Sequence, residues 1–182
     1  RALTVMALFE GLGSVAAFRP ELVIHNSKFR QQMIDQANEI LGVDLRSIMF
    51  EGPEEKLKQT EFTQPAIFLH SVALYKTLSA TPDMVAGHSL GEFSALVACN
   101  AVSFEDALKI VRRRGELMQA AGAANPGTMA AIIGLDEQSV YEISRQTGTY
   151  VSNINTDSQT VISGNKSAVA SAVDLATSRG AK

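Results

Sequence analysis

Gly87-His88-Ser89-Leu90-Gly91 fits the pattern G-x-S-x-G, in which a serine stands on a sharp turn between a strand and a helix. Such a turn is crowded, so the residues two before and two after the serine must lack side chains, and Gly87 and Gly91 meet that condition. The chemistry on offer is nucleophilic. The Ser89 hydroxyl is presented at a helix N-terminus, where the free N–H of Leu90 and the helix dipole can stabilise an oxyanion. His88 adjoins the serine and so points away from it, which suits a structural or supporting histidine better than a general base.

A second candidate group lies downstream. Ala107, Ile110, Val111, Leu117, Met118 and Ala121 recur at helical spacing, and Arg114 completes that stripe, which directs its guanidinium inward with the core-facing side chains. An arginine on a buried face needs a carboxylate. That partner is either an acidic residue of the chain or, with a nucleophile elbow nearby, a substrate carboxylate gripped bidentately. Lys109, Arg112 and Arg113 fall off the stripe or beside it and read as solvated, available to dock an acidic partner.

Local signals outline the elements that must position these groups. The apolar run 3–9 reads as a buried strand entering a glycine-containing loop, and Phe29, Met33, Ala37, Ile40 and Leu41 share a helix face that Gly42 closes. A short helix is expected over 45–50, stopped by Gly52-Pro53, and a longer one over 63–78 with Pro65 inside its first turn. A strand over 84–86 leads into the elbow and a buried helix over 93–99 leaves it. Ser103 with Asp106 three positions on resembles a capping box for a helix running to about Ala121. Past Asn125-Pro126-Gly127 the pattern changes to strand 128–133, helix 136–146, strands 150–155 and 160–163, and helix 165–179. This is a split β-α-β-β-α unit that calls for one more strand, so an α/β chain of two parts, 1–125 and 126–182, is expected.

The 182 residues are 46% hydrophobic and 19% charged with a formal net charge of -3, values of a soluble globular domain able to bury a core. The acidic balance argues against a nucleic-acid-binding surface, and no apolar run reaches the length of a bilayer span. A single cysteine, Cys99, excludes an internal disulfide and a cysteine-built metal site. Arg1 before the first apolar run gives a weak likeness to a signal peptide, but the flanks lack a cleavage pattern, so a cytoplasmic protein without metal or cofactor is expected.

Taken together, the run from Gly87 to Leu96, the block Ser103-Phe104-Glu105-Asp106-Ala107-Leu108 and the block Arg114-Gly115-Glu116-Leu117-Met118-Gln119 strongly resemble malonyl-CoA:acyl carrier protein transacylases. Thr63-Gln64-Pro65-Ala66 and Asn153-Ile154-Asn155 with Val161-Ile162-Ser163-Gly164 look like further blocks of that family, in the same order, from about Asn26 to the end. The resemblance implies an α/β-hydrolase-like large domain with an inserted ferredoxin-like small subdomain. It also implies ping-pong transfer of malonyl from malonyl-CoA to the phosphopantetheine thiol of acyl carrier protein through Ser89. By the same resemblance Arg114 binds the malonyl carboxylate, Leu90 and Leu12 donate backbone N–H groups to the oxyanion, and Gln64, Asn155 and His88 belong to the substrate-binding set.

Two departures stand out. The family's F-P-G-Q-G-S-Q loop reads Phe9-Glu10-Gly11-Leu12-Gly13-Ser14-Val15 here, without the glutamine, and 15–25 does not look like the family. The family's catalytic histidine follows the small subdomain, whereas His25, His70 and His88 all precede Ser89. An incomplete representative is therefore expected, lacking the last strand of the small subdomain and the tail of the large domain.

Other readings make different demands. A serine esterase shares the elbow but has no use for Arg114, and a patatin-like hydrolase needs an Asp-Gly segment that is absent. Gly11-x-Gly13-x-x-Ala16 suggests a dinucleotide site, but the acidic residue that would end a second strand is missing. A catalytically dead fragment or docking module differs from the enzyme in whether Ser89 can be acylated.

Overall fold

The computed structural model describes residues 6–9, 28–77 and 82–182. Leu12 and His25 lie outside the described residues. The chain divides into two compact units, Arg1–Ala121 and Gly122–Lys182.

In the first unit, strand β1 (Met6–Phe9) is followed by helices α1 (Lys28–Leu41), α2 (Leu45–Phe50), α3 (Glu54–Leu57) and α4 (Thr60–Tyr75), strand β2 (Met84–Gly87), helix α5 (Gly91–Ala98) and most of α6 (Phe104–Ala124). The strands pair in parallel, Met6 opposite Met84 and Phe9 opposite Gly87, so the end of β1 lies beside the start of the serine turn. Ile34, Leu45, Phe68, Leu69, Val72, Leu90, Leu108 and Val111 form the core, and the Phe68 and Phe104 rings stack with centroids 5.8 Å apart.

The helix ends follow local chemistry. Gly42 takes a φ of 62° after α1, in the left-handed region that glycine tolerates. Asp44 caps α2 by accepting from the Ser47 N–H, and Ser103 caps α6 by accepting from the Asp106 N–H at 3.0 Å while donating to its carboxylate at 2.7 Å.

Two helices depart from the sequence reading. Helix α4 starts at Thr60, not 63, so Pro65 lies in its interior and not in its first turn. The Thr60 N–H is satisfied from across the fold by Gln119 Oε1 at 3.0 Å, which stabilises a start that no local signal announces. Helix α6 extends to Ala124, and its buried face is Ala107, Leu108, Val111 and Gly115. Ile110, Leu117 and Met118 are 47%, 53% and 43% exposed, so only part of the expected stripe is core. The reason is a close approach at Gly115: a Cβ there would lie 2.8 Å from the Thr60 carbonyl oxygen and 2.9 Å from the Glu61 Cα, so α6 meets α4 along a line through that glycine.

Arg112 is likewise not the solvated cation expected of it. Its side chain is 18% exposed, pairs with Glu61 at 2.9 Å and Glu116 at 3.0 Å, and lies over the Phe62 ring at 4.7 Å. Lys109 and Arg113 are more exposed, pairing with Glu105 and Glu116 within their own helix.

The second unit holds β3 (Thr128–Ile133), α7 (Glu137–Thr147), β4 (Tyr150–Thr156), β5 (Gln159–Gly164) and α8 (Lys166–Ser178). Its antiparallel sheet has the order β3-β5-β4. Ile132 and Ile162 on the sheet pack against Val140 and Ile143 of α7 and Ala172 and Ala176 of α8. Asp136 and Asn165 cap the two helices, each accepting the N–H three residues on. The Lys182 backbone exchanges two hydrogen bonds with Ile133 along β3, at 2.9 and 3.3 Å.

Candidate functional site around Ser89

The serine turn is built by backbone crowding. Ser89 has a φ of 54°, an uncommon conformation for a residue with a side chain, held where β2 gives way to α5. A Cβ on Gly87 would lie 2.1 Å from both the carbonyl carbon and oxygen of Gly91, so only glycine fits there. Gly91 N–H donates to the His88 carbonyl at 2.9 Å, Glu92 N–H to that of Ser89 at 3.3 Å and Phe93 N–H to that of Leu90 at 3.1 Å. Among the described residues the Leu90 N–H has no backbone acceptor, while its side chain is fully buried and anchors the turn in the core. Ser89 is half-buried and His88 exposed.

Arg114 reaches this turn from the middle of α6. Its Nη2 donates to Ser89 Oγ at 2.9 Å and its Nη1 to Gln64 Oε1 at 2.5 Å. The guanidinium carbon lies 5.8 Å from the centre of the Phe93 ring. Among the described residues no carboxylate pairs with Arg114, in contrast to Arg112 two residues earlier. Of the two partners left open by the sequence, a carboxylate of the described residues is not the one seen.

Gln64 stands on α4 and is 0% exposed. Its Nε2 donates to Met118 Sδ at 3.1 Å, so a chain of contacts runs from Met118 through Gln64 and Arg114 to Ser89. Asn155 belongs to the second unit, exposed on β4, with its Nδ2 donating to Gln159 Oε1 at 3.1 Å. The described residues therefore bring Ser89, Leu90, Gln64 and Arg114 together.

Phe93 and Met118 were not singled out as site residues by sequence reasoning. The signal was present for Met118, which stands four residues after Arg114 on the same helical face, and for Phe93 in its place at the start of the helix that leaves the elbow. His70 is half-buried on α4. Among the described residues no group of three or more His, Cys, Asp or Glu is placed to hold a metal ion, and no helix is long and apolar enough to cross a membrane.

A family profile described as acyl transferase domain matches residues 8–182. The malonyl CoA-acyl carrier protein transacylase of Staphylococcus aureus (strain MSSA476) is 40% identical over 181 residues, covering 96% of this chain and 59% of that relative. The crystal structure of an acyl-carrier-protein S-malonyltransferase from Burkholderia pseudomallei 1710b matches with a TM-score of 0.88 at 34% identity, over 99% of this chain and 61% of the other. A type II PKS acyl-carrier protein in complex with its malonyl-transacylase matches with a TM-score of 0.81 at 37% identity, again over 99% and 61%. The chain thus spans less than two thirds of the length of each of these proteins.

Proposed function

This chain belongs to the acyl transferase domain family, and from that premise we propose that it transfers a malonyl group from malonyl-CoA to the phosphopantetheine thiol of acyl carrier protein, in fatty-acid or polyketide synthesis. The observation that carries the reading is the 2.9 Å contact between Arg114 Nη2 and Ser89 Oγ, made by an arginine that no carboxylate among the described residues neutralises. A nucleophile beside a guanidinium with no carboxylate partner among the described residues suits an acyl donor that ends in a carboxylate. A serine esterase acting on neutral esters has no use for such a charge.

In the proposed reaction Ser89 Oγ attacks the thioester carbonyl, the carbon–sulfur bond breaks, and coenzyme A leaves as its thiol. Arg114 holds the far carboxylate of the malonyl group. The Leu90 N–H, which has no backbone acceptor among the described residues, donates to the oxyanion that forms on the carbonyl. Leu12 is proposed as the second donor by the family resemblance of its loop. In the second half-reaction the carrier-protein thiol attacks the malonyl-serine ester, the ester carbon–oxygen bond breaks, and Ser89 is regenerated.

A guanidinium cannot accept the proton that Ser89 must release. The family resemblance assigns that proton to a histidine following the small subdomain. Asn155 and His88 complete the substrate-binding set by the same resemblance.

We read 1–125 as a hydrolase-like large domain, supported by the parallel β1–β2 pair and the strand–serine–helix turn. We read 126–182 as a ferredoxin-like subdomain, supported by its antiparallel sheet and two helices.

The intact mass of the protein before and after incubation with malonyl-CoA tests the reading. A malonyl adduct that disappears in Ser89→Ala and weakens in Arg114→Ala is the expected result. An adduct that forms equally well with Arg114→Ala, or on another residue, overturns it.

A further inference from the structure

We propose that Gln64 is a positioning residue whose neutral amide aims the Arg114 guanidinium and leaves its charge for the substrate carboxylate. The inference rests on the malonyl reading and assigns Gln64 a task other than touching substrate. Gln64 is 0% exposed and both ends of its amide are used within the protein. Arginine only donates, so the amide must turn its oxygen to Arg114 Nη1, which leaves Nε2 for the thioether of Met118, a weak acceptor that forces no other orientation. One edge of the planar guanidinium is thereby held by a rigid, uncharged acceptor, and the donors at Nη2 face Ser89.

Charge is what sets this arrangement apart from an ordinary buried contact. Arg112, on the same helix, is neutralised by Glu61 and Glu116 and serves packing. Arg114 meets an amide at the corresponding place. A carboxylate of the same shape at position 64 would hold the guanidinium equally well but would neutralise it, and the positive charge available to an incoming malonyl group would fall.

The test is calorimetric binding of malonyl-CoA and of acetyl-CoA to the protein, Arg114→Ala, Gln64→Glu and Gln64→Met, with circular dichroism to confirm folding. Wild type is expected to prefer malonyl-CoA, and Arg114→Ala to lose that preference. Gln64→Glu, nearly isosteric, should reduce the preference for malonyl-CoA over acetyl-CoA by roughly tenfold or more, the scale of one charge-assisted hydrogen bond. Gln64→Met removes the acceptor at similar volume and should also weaken malonyl-CoA selectively. A wild type without preference, or an Arg114→Ala that keeps it, overturns the malonyl reading and this inference with it. A preference lost in Arg114→Ala but intact in both folded Gln64 variants overturns the role of Gln64 alone, because a merely structural contact does not distinguish the two acyl groups.

Discussion

Arg112 donates through Nη1 to the backbone carbonyl of Glu61 at 2.7 Å, the acceptor that Pro65, four residues later and without an N–H, leaves without its helical partner. An interior proline ordinarily opens a gap in a helix. Here a side chain from α6 fills it, and the same guanidinium binds the Glu61 carboxylate at 2.9 Å. Helix α4 is thereby tied to α6 three residues before Gln64 and two before Arg114, so the staple and the site share the same pair of helices.

Arg112→Ala removes that donor and strands a carboxylate and a carbonyl in a region only partly open to water. Its expected cost is about 2 kcal/mol, between the limits for exposed and buried pairs. Urea unfolding of the variant checks this. Arg112→Lys should recover only part of the loss, since an ammonium cannot serve Glu61 and Glu116 with one planar fork.

Gly115→Ala tests the helix crossing. Its Cβ would enter the space occupied by the Thr60 carbonyl oxygen, 2.8 Å away, so α4 and α6 must separate. A loss of about 1 to 3 kcal/mol is expected. Weaker malonyl-CoA binding should accompany it, because separation also draws Gln64 from Arg114. Unchanged melting and binding together would mean that the helices do not meet as described.

Gly87→Ala places a methyl group 2.1 Å from the Gly91 carbonyl carbon and oxygen, both of them backbone atoms with nowhere to retreat. We expect a loss of about 3 kcal/mol or more, or failure to accumulate folded protein. Gly122→Ala, where a Cβ meets nothing within 4 Å, is the control and should be neutral or slightly stabilising.

Acid should weaken the cap of α7. The Ser139 backbone N–H, and then its hydroxyl, hold the Asp136 carboxyl below its ordinary value of 3.8. A carboxyl with a lowered folded pKa stabilises the fold above that ordinary value, and the contribution is lost as pH falls through the folded one. Thermal melts between neutral pH and about pH 3 should show Asp136→Ala less stable at neutral pH and closer to wild type in acid. Parallel melting curves at both pH values would exclude the cap.

Lys109 and Arg113, with side chains 53% and 67% exposed, remain candidates for docking an acidic partner, and Arg112, at 18%, does not. Charge reversal at these two should slow malonyl transfer to carrier protein while sparing acylation by malonyl-CoA. Equal loss in both steps would count against a docking surface there.

The elbow was legible in the sequence because it depends on neighbours: Gly87, Ser89 and Gly91 meet across a few bonds, and the steric demand of one on another does not wait for the rest of the fold. The cap at Ser103 was legible for the same reason, bonding three residues ahead. Arg114 was marked by its period on α6, although the burial of that stripe was overdrawn, since Leu117 and Met118 recur at the right spacing and are still exposed. Periodicity gives a face its direction but not what covers it.

What only the tertiary structure decided is how residues 50 or more positions apart share their charges and hydrogen bonds. Arg112 and Arg114 lie on one helix within a single turn, yet one is neutralised by Glu61 and the other rests on the amide of Gln64. The start of α4 at Thr60 and the tolerance of Pro65 inside it depend on Gln119 and Arg112, both donated by a distant helix. Hydrogen bonds and ion pairs act over a few ångströms whatever the sequence separation, so their partners are set by which helices pack together. That packing is fixed here by a glycine whose importance lies in the side chain it lacks.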